Sequence, residues 1–279
     1  MEFIVQRFGA VSSTNDIAIR MAEEGAPEGT VVVAGEQTAG RGRHGRNWSS
    51  PAGEGLYISV ILRPDLPFDR LWQMAFIAAV SAAEAIRQAS GLEARIKWPN
   101  DILLNDRKVC GILIEAASRQ PPAASSQPPA ASSQHPAQNF PLPLAGEGQG
   151  EGERQRPALI VGIGVNVNTR EFPAEIAETA TSVARELGRV LPVREVERAL
   201  LTCLAAHYDR YIRQGFPAMF EVWKSLDCTM GRRVTVHTPE GIVKGTAVEV
   251  TPTGDLVVER EGGARTRVSA GDVILRDAR

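Results

Sequence analysis

Glu36-Gln37-Thr38-Ala39-Gly40-Arg41-Gly42-Arg43-His44-Gly45-Arg46-Asn47-Trp48 stands between two β-branched, apolar stretches, Thr30 to Ala34 and Leu56 to Leu62. Its glycines free the backbone to bend closely around a ligand. Arg41, Arg43 and Arg46 supply planar, permanently charged donors suited to carboxylate or phosphate. Trp48 ends the run with an aromatic face. A loop of this make-up can fold over an anionic, nucleotide-like group and keep water from it. Read alone, it is equally a solvated basic turn.

The flanking residues set the loop in a regular framework. Ile4 to Phe8 reads as a short strand. Ser13-Thr14-Asn15-Asp16 reads as a helix start, with Ile17 and Met21 at helical spacing and a stop at Gly25. Thr30 to Ala34 and Leu56 to Leu62 read as strands, the second stopped by Pro64. Leu71 to Ala89 is an Ala-rich helix ending near Gly91. Arg95 to Trp98 and Ile102 to Leu104 are strand pieces broken at Pro99. Val109 to Ala116 and Ala158 to Val167 read as adjacent buried strands.

Between those two lies a segment of different texture. Residues 119–156 carry a direct repeat, Gln-Pro-Pro-Ala-Ala-Ser-Ser, beginning at Gln120 and again at Gln127, then a Gly/Glu-rich run from Gly146 to Glu153. Almost nothing there can bury apolar area, so disorder is expected. Beyond it, Leu200, Leu204, Tyr208 and Tyr211 mark an amphipathic helix over Val193 to Arg213, and Phe216 to Leu226 reads as a shorter one. From Gly231 short strands take over at Val234 to Val236, Gly245 to Val250, Leu256 to Val258 and Val273 to Leu275. Turn signals at Thr238-Pro239-Glu240-Gly241, Pro252-Thr253-Gly254 and Gly262-Gly263 separate them, the pattern of a small β-barrel.

A chain of 279 residues suits one large domain plus a small one. A formal charge of −2 offers no whole-surface attraction for nucleic acid, so the basic residues act locally. Cys110, Cys203 and Cys228 are far apart and lack metal-ligand spacing, as inert thiols of a reducing compartment would be. The first residues, Met1-Glu2-Phe3-Ile4, do not open a signal peptide, and no apolar run is long enough for a bilayer. A soluble, cytoplasmic protein without membrane contact is expected.

Five motifs stand in one order: Ser13-Thr14-Asn15, the Gly/Arg loop, Lys97-Trp98-Pro99-Asn100-Asp101, the run from Lys108 to Glu115, and Val161-Gly162-Ile163-Gly164-Val165-Asn166-Val167-Asn168. Together they resemble the biotin protein ligases, which attach biotin to biotin-dependent carboxylases. The resemblance implies an α+β fold. A mixed-sheet catalytic domain of the biotin/lipoate ligase type would span 1–228, interrupted at 119–156, and an SH3-like β-barrel would span 229–279. It implies ATP and biotin as substrates, with Mg2+, and formation of biotinyl-5′-AMP. Biotin would then pass to a lysine of the biotin carboxyl carrier domain of acetyl-CoA carboxylase. Larger relatives carry an N-terminal winged-helix domain and act as repressors. With twelve residues before Ser13, the expectation is a ligase without DNA binding. A weak homodimer is compatible with the family, although an insertion leaving the sheet would obstruct it.

The same resemblance assigns roles. Lys108, opening an apolar strand after the Asn105-Asp106-Arg107 turn, is the central catalytic cation, contacting biotin's carboxylate and then the phosphoryl oxygens. Arg43 and Asp101 join it as catalytic residues. Asp101 would hold magnesium, order the lysines, or form a turn-stabilising pair with Asn100. The metal ligands themselves are not identified. Ser13, Thr14, Asn15, Gln37, Arg41, Gly42, Arg43 and Lys108 would bind biotin; for Ser13 and Thr14 helix capping is the other reading. Arg46, Trp48, Lys97, Asn100 and Asn166 would serve the nucleotide, Arg46 and Trp48 by ordering the loop or lining the adenine pocket. Gly162 and Gly164, lacking side chains, would leave room for the ligand. His44, His135, His207 and His237 are scattered and suggest no covalent catalysis. Three rival readings remain: a lipoate– or octanoate–protein ligase, a non-catalytic biotin-sensing regulator, and a ligase disabled by the insertion.

Overall fold

The computed structural model of the protein describes residues 1–117 and 158–276; the low-complexity segment 119–156 lies outside the described residues. Seven strands make the main sheet: β1 (Ile4–Val11), β2 (Thr30–Gln37), β3 (Gly55–Leu62), β4 (Arg95–Lys97), β5 (Asp101–Leu104), β6 (Arg107–Ala117) and β7 (Ala158–Asn166). Their order is β1-β2-β3-β7-β6-β5-β4. β1 runs parallel to β2 and every other pair is antiparallel, so the sheet is mixed.

The two-residue period of a strand decides which face each side chain meets. Leu56, Ile58, Val60 and Leu62 of β3 join Leu159, Val161, Ile163 and Val165 of β7 in the large core. That core is closed by α2 (Gln73–Ser90), α4 (Val193–Gln214) and α5 (Phe216–Leu226). Phe76 of α2 meets Trp223 of α5 with ring centroids 4.9 Å apart. Burying each such side chain contributes about 1.5–3 kcal/mol. On the opposite face, Val32, Ile61, Ala117, Ala158 and Ile160 pack under Ala18 and Ala22 of α1 (Thr14–Glu23). Because α1 covers only one end of that face, the remainder is left for a site.

Locally the sequence reading holds with small extensions. The α2 helix stops where Gly91 turns left-handed at φ 75° and gives its amide to Arg87. Asn105 and Asp106, at φ 48° and 61°, make the tight turn between β5 and β6. The described residues add a short helix, α3 (Val183–Leu187), and two 3-10 turns, at Arg43–Gly45 and Phe68–Arg70, that the sequence did not announce. Ser13 sits at the N-cap of α1, yet its side chain makes no capping bond, a correction to the capping reading.

Five antiparallel strands follow: β8 (Arg233–Thr238), β9 (Gly241–Val250), β10 (Leu256–Glu259), β11 (Arg265–Val268) and β12 (Asp272–Arg276), in the order β11-β10-β9-β8-β12. This is the strand content of an SH3-like domain. β11 was not foreseen, because Arg265-Thr266-Arg267-Val268 carries a single apolar residue and becomes a strand by pairing with β10. The two sheets are joined through Trp98. Its amide donates to Thr229 Oγ1 at 2.8 Å and its indole Nε1 to the Gly254 carbonyl at 2.9 Å. Among the described residues no helix is long and apolar enough to cross a membrane.

Candidate active site

The uncovered part of the sheet, the Gly/Arg loop and the edge of the second sheet enclose one cavity of about 890 Å³. Every residue singled out as a binding or catalytic candidate lines it, from Ser13, Thr14, Asn15 and Gln37 through Arg41, Gly42, Arg43, Arg46 and Trp48 to Lys97, Asn100, Asp101, Lys108 and Asn166. They divide into a polar end and a cationic end.

At the polar end, the start of α1 meets β2 and β3. The Thr14 amide, one of the orphan donors of a helix start, donates to Gln37 Oε1 at 2.8 Å, and the Thr14 hydroxyl does so at 3.1 Å. Gln37 Nε2 donates to Ser50 Oγ at 2.9 Å. Ser59 Oγ lies 2.7 Å from Thr14 Oγ1 and donates to Asn15 Oδ1 at 2.5 Å. Asn15 Nδ2 donates in turn to Glu115 Oε2 at 2.7 Å. Arg41 reaches the same Glu115 oxygen at 2.8 Å and Asp16 at 2.7 Å. Ser13, Thr14 and Asn15 are buried. From Thr14 and Asn15 to Arg41, these groups form a connected, part-buried surface of donors and acceptors.

At the cationic end, Asp101 on β5 is shared by two lysines. Lys108 Nζ lies 2.5 Å from Oδ1 and Lys97 Nζ 2.8 Å from Oδ2. Burial by itself would raise the Asp101 carboxyl, but the charges of Lys108 and Lys97 and their hydrogen bonds prevail and hold it well below the usual carboxylate range. Lys97 also donates to the Val273 carbonyl at 3.1 Å. The strand carrying Lys108 is pinned by the segment before α3: the Lys108 amide donates to Thr179 O at 2.7 Å, and the Thr181 amide to Lys108 O at 2.9 Å. Asn166 is fixed by the same segment through a 3.1 Å bond to Thr181 O.

The loop between the two ends is folded down. The Trp48 amide donates to Gly40 O at 2.8 Å and the Gly42 amide to Arg46 O at 2.7 Å. A side chain at Gly40 would meet the Trp48 carbonyl oxygen at 2.5 Å, so the loop can close this tightly only with glycine there. Arg43 Nη1 donates to Asn100 Oδ1 at 2.9 Å and Nη2 to Gly271 O at 3.3 Å, while Arg46 pairs with Asp272. Asn100 is itself anchored to the Ile112 carbonyl. Burial lowers the affinity of Arg43 for its proton, opposed by Asp101. Burial, then Arg43 and Arg46, lowers that of His44, which keeps this ring neutral near pH 7.

Gly162 and Gly164 both line the cavity, but their bare backbone is shared with other site residues: a side chain at Gly162 would strike Asn15, and one at Gly164 would strike the Trp48 indole. The glycines admit protein side chains onto the sheet. The Lys108 ammonium lies 5.5 Å from the centre of the Trp48 ring, within cation–π range. Asp101 meets both lysines, which favours the lysine-ordering reading over a turn-forming pair with Asn100.

Sequence reading carried Glu115 only as the end of the Lys108–Glu115 motif, without a role, and missed Ser59, Gly271 and Asp272. A carboxylate closing the apolar run Ile112-Leu113-Ile114 was a usable signal for Glu115. Nothing local marks Asp272, which meets the loop only through folding.

Comparison with known proteins agrees with this geometry. Residues 8–125 match the biotin/lipoate A/B protein ligase family, and residues 229–276 match the biotin protein ligase C-terminal domain. The bifunctional ligase/repressor BirA of Bacillus subtilis is 35% identical over 260 residues, covering 93% of this chain and 70% of that protein. The biotin–[acetyl-CoA-carboxylase] ligase of Mycobacterium tuberculosis is 30% identical, covering 94% and 85%. Among solved structures, the biotin protein ligase of Aquifex aeolicus in complex with biotin and ATP superposes with a TM-score of 0.74 at 27% identity, covering 98% of this chain and 99% of that one. With the five motifs gathered in one cavity and relatives aligned along nearly the whole length, the chain belongs to the biotin protein ligase family.

Proposed function

We propose that this cavity joins biotin to ATP and hands the activated biotin to a lysine of a biotin carboxyl carrier domain, that of acetyl-CoA carboxylase in the first instance. The observation that carries the reading is the pairing of the two ends. A buried polar surface suited to a ureido ring adjoins a Lys97–Asp101–Lys108 cluster suited to phosphate. Residues 1–228 would carry the chemistry and 229–279 would brace the loop and the lysines.

In the first step, a carboxylate oxygen of biotin forms a bond to the α-phosphorus of ATP, and the bond to pyrophosphate breaks. In the second, the acceptor amine forms an amide with the biotinyl carbon, and AMP departs with the anhydride oxygen. Lys108, held by Asp101, would sit beside the oxygens that gain charge in both steps, preorganised so that little rearrangement is needed. Arg43 would add a second fixed charge, oriented by Asn100. Ser13, Thr14, Asn15, Gln37 and Arg41 would bind biotin, with Gly42 allowing the backbone close. Lys97, Asn100, Arg46, Trp48 and Asn166 would serve the nucleotide. The folded loop would shield the mixed anhydride from water.

Magnesium fits this site as an ion carried on the phosphates of ATP. Asp101 already serves two lysines, and the described residues hold no cluster of three His, Cys, Asp or Glu. The three free thiols suit the cytoplasm as the place of work.

ATP–pyrophosphate exchange on the purified protein tests the reading, comparing biotin, lipoate, octanoate and no acid. Exchange with biotin alone supports it. Exchange with lipoate or octanoate moves the chain to the sister activity, and none at all from folded protein favours a biotin-sensing or disabled form.

A further inference from the structure

Glu115 takes no part in the chemistry above, yet it is among the most deeply buried charged groups of the catalytic sheet, at 2% exposure. It lies on β6, on the face that carries Gly111 and Leu113 toward the cavity. Its Oε2 accepts from two residues that line the cavity, Asn15 Nδ2 at 2.7 Å and Arg41 Nη2 at 2.8 Å. Asn15 comes from the start of α1 and Arg41 from the Gly/Arg loop, elements joined here by one carboxylate.

Two consequences follow from elementary chemistry. Ser59 donates to Asn15 Oδ1 while Glu115 accepts from Nδ2, so the Asn15 amide has one allowed orientation. A carboxylate this deep needs its cation, because a buried anion left without its partner is strongly destabilising, whereas Arg41 is part-exposed and also meets Asp16. Glu115 therefore draws the first arginine of the loop down against the polar end. Arg41 Nε is buried there without a hydrogen-bond partner among the described residues, a donor set beside the cavity.

We propose that Glu115 is the positioning residue of the biotin end. It fixes the Asn15 amide and fastens Arg41, so the pocket is already formed when biotin arrives and the loop is anchored at its first arginine. This rests on the ligase reading and names the residue that sets biotin affinity without touching the reacting atoms.

The isosteric variant Glu115→Gln keeps the shape and removes the charge. Replacing a charge-assisted hydrogen bond by a neutral one should raise the KM for biotin about tenfold. The KM for ATP, kcat at saturating biotin and the melting temperature should stay near wild type. A purely structural role would instead lower kcat and melting temperature together and move both KM values, and that pattern overturns the proposal, as does an unchanged KM for biotin. Should Glu115→Gln not fold, Glu115→Asp keeps the charge but draws it back from Asn15 and Arg41, and must by itself raise the KM for biotin. If Glu115→Gln and Arg41→Met both fold, combining them must cost less than the sum of the two single changes, since both break the Glu115–Arg41 contact; fully additive losses reject the coupling. Wild-type protein with no biotin-dependent exchange rejects the ligase reading first, and this inference with it.

Discussion

Lys108 and Asp101 carry the sharpest residue-scale expectations. Removing one preorganised donor from a developing anion typically costs about 10²–10³ in rate. Lys108→Ala should lower biotin-dependent exchange by that factor while leaving the fold intact, since the side chain is partly exposed and its strand is held by backbone bonds to Thr179 and Thr181. Near-normal turnover would remove Lys108 from its role. Asp101 is a linkage case. Its folded-state affinity for a proton is depressed, so its stabilising effect is complete above the ordinary carboxylate pKa of about 3.9 and fades only as pH falls through its lower folded value. Asp101→Asn should therefore melt lower than wild type near pH 7, and the gap should close in strong acid. Denaturant titrations at both pH values decide it; a gap that widens on acidification contradicts the sign.

At the scale of the element, the Gly/Arg loop is held by a few side-chain bonds at its rim. Arg41 binds Glu115 and Asp16, Arg43 binds Asn100 and Gly271, and Arg46 binds Asp272. Most of these partners come from other elements, and Arg46 is well exposed, so the loop can open without unfolding the sheet. A ligand beneath the arginines adds partners in the closed form alone. Limited proteolysis within residues 40–47 should slow when biotin and ATP are both present, and an unaltered cleavage rate would count against closure over the adenylate. This element was legible in composition and illegible in geometry. Its glycines and arginines gave the expectation of an anion-binding loop, whereas the left-handed His44 at φ 55° and the partners of Arg46 follow from surroundings that only folding supplies.

Across the whole molecule, the second sheet supplies backbone to the site, with the Gly271 and Val273 carbonyls on Arg43 and Lys97. Its docking depends on Gly254, whose carbonyl takes the Trp98 indole. Gly254 sits at φ 84°, and an added Cβ would meet Trp72 at 2.5 Å. Gly254→Ala should cost about 1–3 kcal/mol through left-handed strain and that clash. A thermal melt with exchange assayed below it should show both falling; full stability would mean the Trp72 side yields freely. Conversely, β6 and β7 pair in register from Cys110–Val165 to Ala117–Ala158, which needs nothing beyond a connection. Loop-closure cost grows by only about 0.6 kcal/mol per doubling of length. Deleting residues 119–156 and joining the strands with a short turn should keep exchange within about twofold on that logic; a large loss would show that the segment serves the reaction.

Local physics settled much of this protein from sequence alone. The apolar runs Leu56 to Leu62 and Ala158 to Val165, the helical period of Leu200 to Tyr211, and glycine stops such as Gly91 each depend on neighbours a few residues away. The motifs carried the family and, with it, the cavity lining, because those side chains lie on elements whose faces were already fixed. Tertiary structure alone decided the connections between charges distant in sequence. These are Glu115 beneath Arg41, and Asp272 on Arg46. Such pairs have no period and no local signal, since what selects them is desolvation: a charge taken from water must find its partner wherever the fold brings one.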